Sequence, residues 1–148
     1  MALYPASGES GLTISRPYLE TEPMSILRAT SPNVPEPQPG TWSNCLVSGG
    51  FAYLAGMTAP GDDEYTQAKA IFTKIKHLVE AAGGSTADIL KVTIFVTDIK
   101  NREQVWKARQ EFFTGNFPAS TLVEVAALAT PALKVEIEAV AHIGASRR

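Results

Sequence analysis

The sequence has a single cysteine, Cys45, and no strong excess of either charge. One cysteine excludes an internal disulfide and is typical of a protein in a reducing compartment. Lys and Arg number 13 against 15 Asp and Glu, which leaves a net charge of −2, and the basic residues are scattered along the chain. A nucleic-acid surface needs a concentrated basic face. The composition therefore does not favour nucleic acid as a partner.

Long apolar runs are also missing, so the sequence offers no segment that could span a bilayer. Residues 1–23 lack the charged start and the continuous apolar stretch of a secretory signal. We therefore expect a cytoplasmic protein with no membrane partner.

The remaining composition is that of one folded domain, with 148 residues, 45% of them hydrophobic and 19% charged. We expect residues 1–23, which are polar and contain several Pro and Gly, to form a flexible extension, with Met24 as an alternative start. Residues 24–148 then form the single domain. Within it, the proline-rich arm at 31–41 should lie extended across the surface, because proline removes backbone donors and fixes φ.

Hydrophobic periodicity predicts two helices and six strands. One apolar stripe marks a helix over 64–82, closed by Gly83, and a second helix is predicted over 102–113. Gly49 and Gly50 supply the turn of a hairpin. The predicted strands are 25–30, 46–48, 51–55, 91–97, 121–128 and 134–143. The order β-β-β-α-β-α-β-β indicates an α+β two-layer sandwich, with a mixed sheet and both helices on one face.

The last two strands predict an open sheet face that mixes carboxylates with aliphatic side chains. Alternation in the final strand sends Glu136 and Glu138 to the face opposite the helices. In the preceding strand we assign Leu122, Glu124, Ala126 and Leu128 to that same face. Exposed apolar side chains of this kind predict that another subunit covers the face.

Carboxylates near such an interface would be partly desolvated, which raises their pKa and suits them to proton transfer. The alternative is that they form interface ion pairs or point into water. That alternative is favoured for Glu124 and Glu138. For Glu136 the residues alone leave both interpretations open.

Other chemistry has little support. Cys45 has no predicted base nearby and is interpreted as a small buried thiol. His77 and His142 belong to no cluster with ligand spacing, so no metal is expected. No dinucleotide fingerprint or phosphate loop is present, and no cofactor is expected. Trp42 either anchors the arm to the core or forms an aromatic wall of a pocket.

Two segments carry a resemblance to a known family. Residues 117–126 read Phe-Pro-Ala-Ser-Thr-Leu-Val-Glu-Val-Ala, and residues 135–141 read Val-Glu-Ile-Glu-Ala-Val-Ala. They resemble the signature of the Rid family (reactive intermediate deaminases, RidA/YjgF-like), which reads Phe-Pro-Ala-Arg at the start of the first segment. The similarity extends from about residue 25 to 141, in the same order as the predicted elements.

The resemblance implies a chorismate-mutase-like fold assembled as a homotrimer. The open sheet faces would line a central barrel, and small-molecule clefts would lie between subunits. Members with the full motif hydrolyse reactive enamines and imines to ketones and ammonia without a cofactor. In those members an arginine holds the substrate carboxylate in a two-pronged ion pair.

The sequence departs from the family pattern at several positions that would contact the ligand. Ser120 stands at the position of the arginine and Leu122 at that of a pocket cysteine. Ala55 replaces a strand serine, and Trp42 replaces the tyrosine of the arm. Without an arginine that forms a two-pronged ion pair with its carboxylate, an imine derived from an amino acid should bind poorly.

Two further positions complete the candidate site. Lys100 aligns with a family asparagine, and Asn101 follows it directly. Lys100 has a long stem that could replace the missing cation. Glu136 is retained and corresponds to the family glutamate that is associated with water, which tips its interpretation towards catalysis.

We therefore predict a deaminase-like hydrolase that acts on a non-standard imine, enamine or related compound, with Glu136 guiding water and Ser120 contacting substrate. The alternative is a non-enzymatic member that binds a small metabolite or acts as a regulator, because several cleft residues differ at once. A ribonuclease or translation-inhibitor role has also been attached to the family, and the acidic balance does not favour it here.

Overall fold

The computed structural model describes residues 25–147, so the predicted extension at 1–23 lies outside the described residues. Six strands form one sheet in the order β1-β2-β3-β6-β4-β5. Only β4 and β5 pair in parallel, which confirms the mixed α+β sheet. The strands are β1 (Leu27–Arg28), β2 (Cys45–Ser48), β3 (Phe51–Met57), β4 (Ile89–Val96), β5 (Ala119–Glu124) and β6 (Val135–His142).

Two helices pack on one face of this sheet, α1 (Glu64–Ala81) and α2 (Arg102–Gln110). Asp63 caps α1 by accepting a hydrogen bond from the Thr66 N–H at 2.7 Å. Short 3-10 turns cover Thr86–Asp88, Ile99–Asn101 and Ala145–Arg147. The predicted helix over 102–113 was too long, since α2 ends at Gln110.

The hairpin between β2 and β3 forms at the predicted glycines. Gly49 and Gly50 have φ angles of 58° and 81°, and glycine adopts such angles at little cost because it has no side chain. The turn sets the register that pairs Ser48 with Phe51 and Cys45 with Leu54.

The alternation predicted for the final strand is confirmed. Val135, Ile137, Ala139 and Ala141 are buried beneath the helices. Between them Glu136, Glu138, Val140 and His142 face the opposite side of the sheet. His142 stacks on Phe51 with ring centroids 4.4 Å apart, which gives that histidine a structural contact at the strand end.

The predicted face of the neighbouring segment was wrong. In β5, Ser120 pairs with Val92 and Leu122 pairs with Ile94, and these two partners are buried on the helix side. Residues in register point to the same face, so Ser120, Leu122 and Glu124 also lie on the helix side. Leu122 packs against the core there.

β5 is also shorter than predicted. It ends at Glu124, whose carboxylate accepts a hydrogen bond from the Ile99 N–H at 3.1 Å, so Ala126 and Leu128 lie beyond the sheet. The residues that β5 gives to the open face are Ala119, Thr121 and Val123. The open face therefore carries fewer aliphatic side chains than the sequence indicated.

A buried glutamine fastens α1 to the chain that enters β6. The Gln67 side chain donates to the carbonyls of Gly61 and Ala132, each at 2.9 Å, and accepts from the Lys134 N–H at 2.8 Å. All its polar atoms are therefore satisfied although the residue is fully buried. These hydrogen bonds fix the start of β6, the strand that carries Glu136.

Asp88 holds the other end of the domain together. Its buried carboxylate accepts backbone hydrogen bonds from Ser85, Gly144 and Ser146, at 3.0, 3.1 and 2.8 Å. Burial by itself raises the pKa of Asp88, but these hydrogen bonds outweigh it and lower the pKa from 3.8 to about 2.

We predict that Asp88→Asn lowers the free energy of unfolding at pH 7 by about 2 kcal/mol. The folded pKa lies below the ordinary value, so the stabilisation is complete above about pH 4 and is lost as the pH falls through about 2. Urea unfolding of both proteins from pH 7 down to pH 2.5 checks this. If the two proteins differed by the same free energy of unfolding at every pH in that range, the assigned role of the Asp88 carboxylate would be contradicted.

Candidate functional site

Glu136 lies in a cavity of about 320 Å³ on the open face of the sheet. It stands on β6 opposite Phe95 of β4 and is half-buried. The lining of the cavity comes from the residue that follows the proline arm, from β3 and the residue after it, from the loop after β5 and from β6. The lining residues are Trp42, Ala55, Gly56, Thr58, Ala129 and Glu136.

Gly56 makes room for the Glu136 carboxyl group. A Cβ at this position would lie 2.0 Å from Oε1 and 2.9 Å from Cδ of Glu136, which is closer than atoms can approach. The φ angle of Gly56 is not positive, so the glycine matters for space rather than for its backbone conformation: a larger residue would force the end of the Glu136 side chain to move from where it lies. The pairing of β3 with β6 is interrupted here, between Leu54 and Met57.

Burial raises the pKa of Glu136, and the negative charge of Glu138 raises it further. Both carboxylates project from the same face of β6, two residues apart. Such an environment disfavours the charged form, so Glu136 takes up a proton more readily than an exposed glutamate. A carboxylate with these properties is suited to general acid–base chemistry.

Trp42 lies at the wall of this cavity and not in the core. Its side chain is 58% exposed, and its Nε1–H donates to Oδ1 of Asn44 at 3.3 Å. The arm is held instead by Asn44, which donates to the Pro35 carbonyl at 3.0 Å, and by an Arg28–Glu36 ion pair at 2.9 Å. Of the two roles that the sequence left open for Trp42, the structure favours the pocket wall.

Ser120 and Leu122 are not in the cavity with Glu136. They lie on the opposite face of the sheet, on the edge strand β5, and β4 separates them from β6. Two strand spacings alone amount to about 10 Å. Within one chain, Ser120 and Glu136 therefore cannot contact the same small molecule.

Lys100 and Asn101 occupy the 3-10 turn after β4. The Lys100 N–H donates to Oδ1 of Asp98 at 3.0 Å, and the residue is exposed. The Asn101 side chain donates to Oε1 of the buried Glu64 at 2.8 Å, which commits its amide to the start of α1. Neither residue lines the cavity that contains Glu136.

Sequence reasoning missed three members of the cavity, Gly56, Thr58 and Ala129. Gly56 was interpreted only as the end of a strand, and no pattern in the sequence singles out the other two. It also missed Arg109, which donates from Nη1 to the Ser120 hydroxyl at 3.0 Å. These contacts join residues far apart in the chain or on different elements, so no local pattern reports them.

The other candidate groups have structural explanations. Cys45 is fully buried, and burial raises the pKa of its thiol to about 11, as expected of an unreactive cysteine. Among residues 25–147 no three His, Cys, Asp or Glu side chains are arranged to hold a metal ion. In the same residues no helix combines the length and apolar character needed to cross a membrane.

Comparison with known proteins places the fold and both motif segments in one family. The model of the endoribonuclease L-PSP family matches residues 35–143. The chain belongs to this family. The assignment to Rid-type proteins made from the two motif segments is thereby confirmed, although the match does not test the role of any single residue.

Relatives of known structure share the whole fold. A Pseudomonas aeruginosa protein of unknown function is 36% identical with a TM-score of 0.77, covering 82% of this chain and 94% of its own. RidA from an Antarctic Psychrobacter is 27% identical with a TM-score of 0.72, covering 79% of this chain and 99% of its own.

A relative found by sequence comparison carries a functional name. The Dermatophagoides farinae protein named 2-iminobutanoate/2-iminopropanoate deaminase is 36% identical, covering 72% of this chain and 90% of that relative.

We predict that Gly56→Ala lowers the free energy of unfolding by about 1 kcal/mol or less, because the new methyl group displaces only the end of the flexible Glu136 side chain. The control is the same substitution in a Glu136→Ala chain, where the obstructing atoms are gone and the loss should be much smaller. Chemical denaturation of the four proteins measures both values. Equal losses in the two backgrounds would contradict the assigned contact.

Proposed function

We propose that this protein hydrolyses the C=N bond of a small imine, or of the enamine in equilibrium with it, at the Glu136 cavity. Water adds to the imine carbon, the C–N bond then breaks, and the products are a ketone and ammonia. The observation that carries the proposal is the half-buried Glu136 carboxyl group with its raised pKa, facing a cavity of about 320 Å³.

The geometry supports a role for Glu136 in positioning and activating water. Its carboxylate can accept a hydrogen bond from a water molecule in the cavity and take the proton as the oxygen attacks. The same group can return that proton to the departing nitrogen. Trp42 and Ala55 provide apolar surface beside the carboxyl group.

The names of relatives support the same reaction class. The mite relative is called a 2-iminobutanoate/2-iminopropanoate deaminase, and a Pyrococcus horikoshii relative, 33% identical, is called a RutC family protein. The family description names an endoribonuclease. None of the six residues that line the cavity is basic, so the cavity offers no cation for RNA phosphates.

The complete substrate site is proposed to form between subunits of a cytoplasmic homotrimer. Ser120 and Glu136 lie on opposite faces of one sheet, so both reach a single ligand only if they belong to different chains. The exposed edge of β5 and the open face around Tyr53 and Val123 are the surfaces available for that assembly.

A second candidate function is binding of a small metabolite without turnover. It is favoured by Ser120 and Leu122, since neither side chain supplies charge or an activated group. In that case Glu136 would bind a polar group of the ligand and would transfer no proton.

We predict that Glu136→Gln lowers kcat/KM for imine hydrolysis by about 100-fold or more, because the amide cannot take a proton from water. Ammonia release above the spontaneous rate is measured on a panel of small imines generated in situ, including 2-iminopropanoate. The matched control is Glu80→Gln on the exposed face of α1, which should retain full activity.

Equal activity of the Glu136→Gln and parent proteins would contradict the role of Glu136. Absence of any acceleration by the parent protein over the whole panel would favour the binding function instead.

A further inference from the structure

Trp42 is the largest side chain in the lining of the cavity that contains Glu136. Of the six lining residues, three are Ala or Gly, so the indole is the only large apolar group there. The residue is also 58% exposed, although burial of a tryptophan is strongly favourable. Trp42 therefore has apolar surface left for contact with a ligand in this cavity.

Hydrogen bonds at the backbone and at the ring hold Trp42 in place. Its carbonyl accepts from Nη2 of Arg28 at 3.2 Å, and its indole N–H donates to Oδ1 of Asn44 at 3.3 Å. Asn44 is itself buried and donates to the Pro35 carbonyl at 3.0 Å. A ring that is already held loses little conformational entropy when a ligand binds to it.

The hydrogen bond to Asn44 also limits what Trp42 offers to a ligand. An indole has one hydrogen-bond donor, and here Asn44 already accepts from it. The flat faces and carbon edges of the ring remain. Within residues 25–147 no aromatic ring and no cation stacks on Trp42, whereas the Arg102 guanidinium lies 5.6 Å from the ring centre of Trp106.

The volume of the cavity suits a ligand larger than a short aliphatic imine. Ligand pockets in proteins measure about 300–1,000 Å³, and this cavity measures about 320 Å³. Because Ala55, Gly56 and Ala129 have small or no side chains, a six-membered ring and the reacting C=N group have room beside the indole. Flat aromatic groups gain more from stacking on such a ring than from the buried area alone.

We propose that Trp42 is a specificity-determining residue that stacks on a flat aromatic substituent of the substrate, so that the protein acts on imines of aryl ketones. The proposal deepens the proposed function and rests on it for the reaction, in which an aryl ketimine and water give an aryl ketone and ammonia. A ring conjugated with the C=N bond is coplanar with it, so stacking on Trp42 orients the reacting group in the cavity that contains Glu136.

A neighbouring chain is the competing occupant of the Trp42 surface. A protein surface packed on Trp42 would also cover the carboxyl group of Glu136, which lines the same cavity. That carboxyl group has no ion-pair partner within residues 25–147. Burial of an unpaired carboxylate is costly, so the observations favour a small ligand.

The test compares the binding of two ketone products, acetophenone and cyclohexyl methyl ketone, by titrations followed by NMR. They have the same number of carbon atoms, but only acetophenone has a flat ring. We expect the parent protein to bind acetophenone about three- to tenfold more tightly. Trp42→Leu should remove this preference, mainly by weakening acetophenone, and Trp42→Phe should retain part of it. The matched control Trp106→Leu, on α2 and outside the cavity, should keep all of it.

The proposal is overturned if the parent protein shows no preference, if Trp42→Leu keeps it, or if Trp106→Leu removes it. Light scattering should give the same mass for the parent and Trp42→Leu proteins, and a smaller mass for the variant would assign Trp42 to a subunit interface instead. In the parent protein, acetophenone should shift the indole N–H signal of Trp42 and leave that of Trp106 unchanged, so a result is obtained even if Trp42→Leu does not fold.

Failure of the proposed function is seen separately. It would appear as absence of ammonia release from the imines of both ketones, by a parent protein that still prefers acetophenone through Trp42. Equal rates of ammonia release from both imines, with equal binding of both ketones, would overturn the role of Trp42 and leave the hydrolysis in place.

Discussion

The arrangement of this protein depends on the pleat of the central strand β6. It is hydrogen-bonded to β3 on one side and β4 on the other, so its residues cannot turn about the strand axis. Val135, Ile137 and Ala139 are locked beneath the helices, which fixes Glu136 on the opposite face. The absence of a side chain at Gly56 then gives the carboxyl group the space it occupies, partly withdrawn from water. Core packing thus determines both the direction and the chemistry of this glutamate.

Glu136 faces away from the helices, whereas the parallel pairing of β5 with β4 turns Ser120, in the other motif segment, towards the helix side. Its register directs Ser120 towards α2, where Arg109 meets it. The two segments that identify the family are therefore separated within a single chain by the sheet itself. A site that uses both must be assembled from two chains, which links the proposed chemistry to the proposed trimer. The structure also shows how a chain without the motif arginine can still present a guanidinium at this edge.

Most of the fold could be predicted from local signals. The apolar stripe of α1, the Gly49–Gly50 turn and the alternation in β6 each depend on residues close in sequence. The face assigned to Leu122 and Glu124 was wrong because alternation gives two faces without saying which is covered, and only pairing with β4 decides that. Glu136 and Trp42 were found through their motifs and lie together in the cavity. Gly56 and Arg109 were missed because their roles arise from contacts with residues on other elements.

A mixing experiment tests most directly whether the site is shared between chains. Ser120→Trp, whose large side chain should block the ligand, and Glu136→Gln proteins, each expected to have low activity, are unfolded together and refolded, and mixed trimers are identified by native mass spectrometry. We expect imine hydrolysis to return in the mixture, because about one site in three of each mixed trimer combines an intact Ser120 with an intact Glu136 from the neighbouring chain. Mixed trimers that remain as inactive as the two parent variants would contradict a site built from two chains.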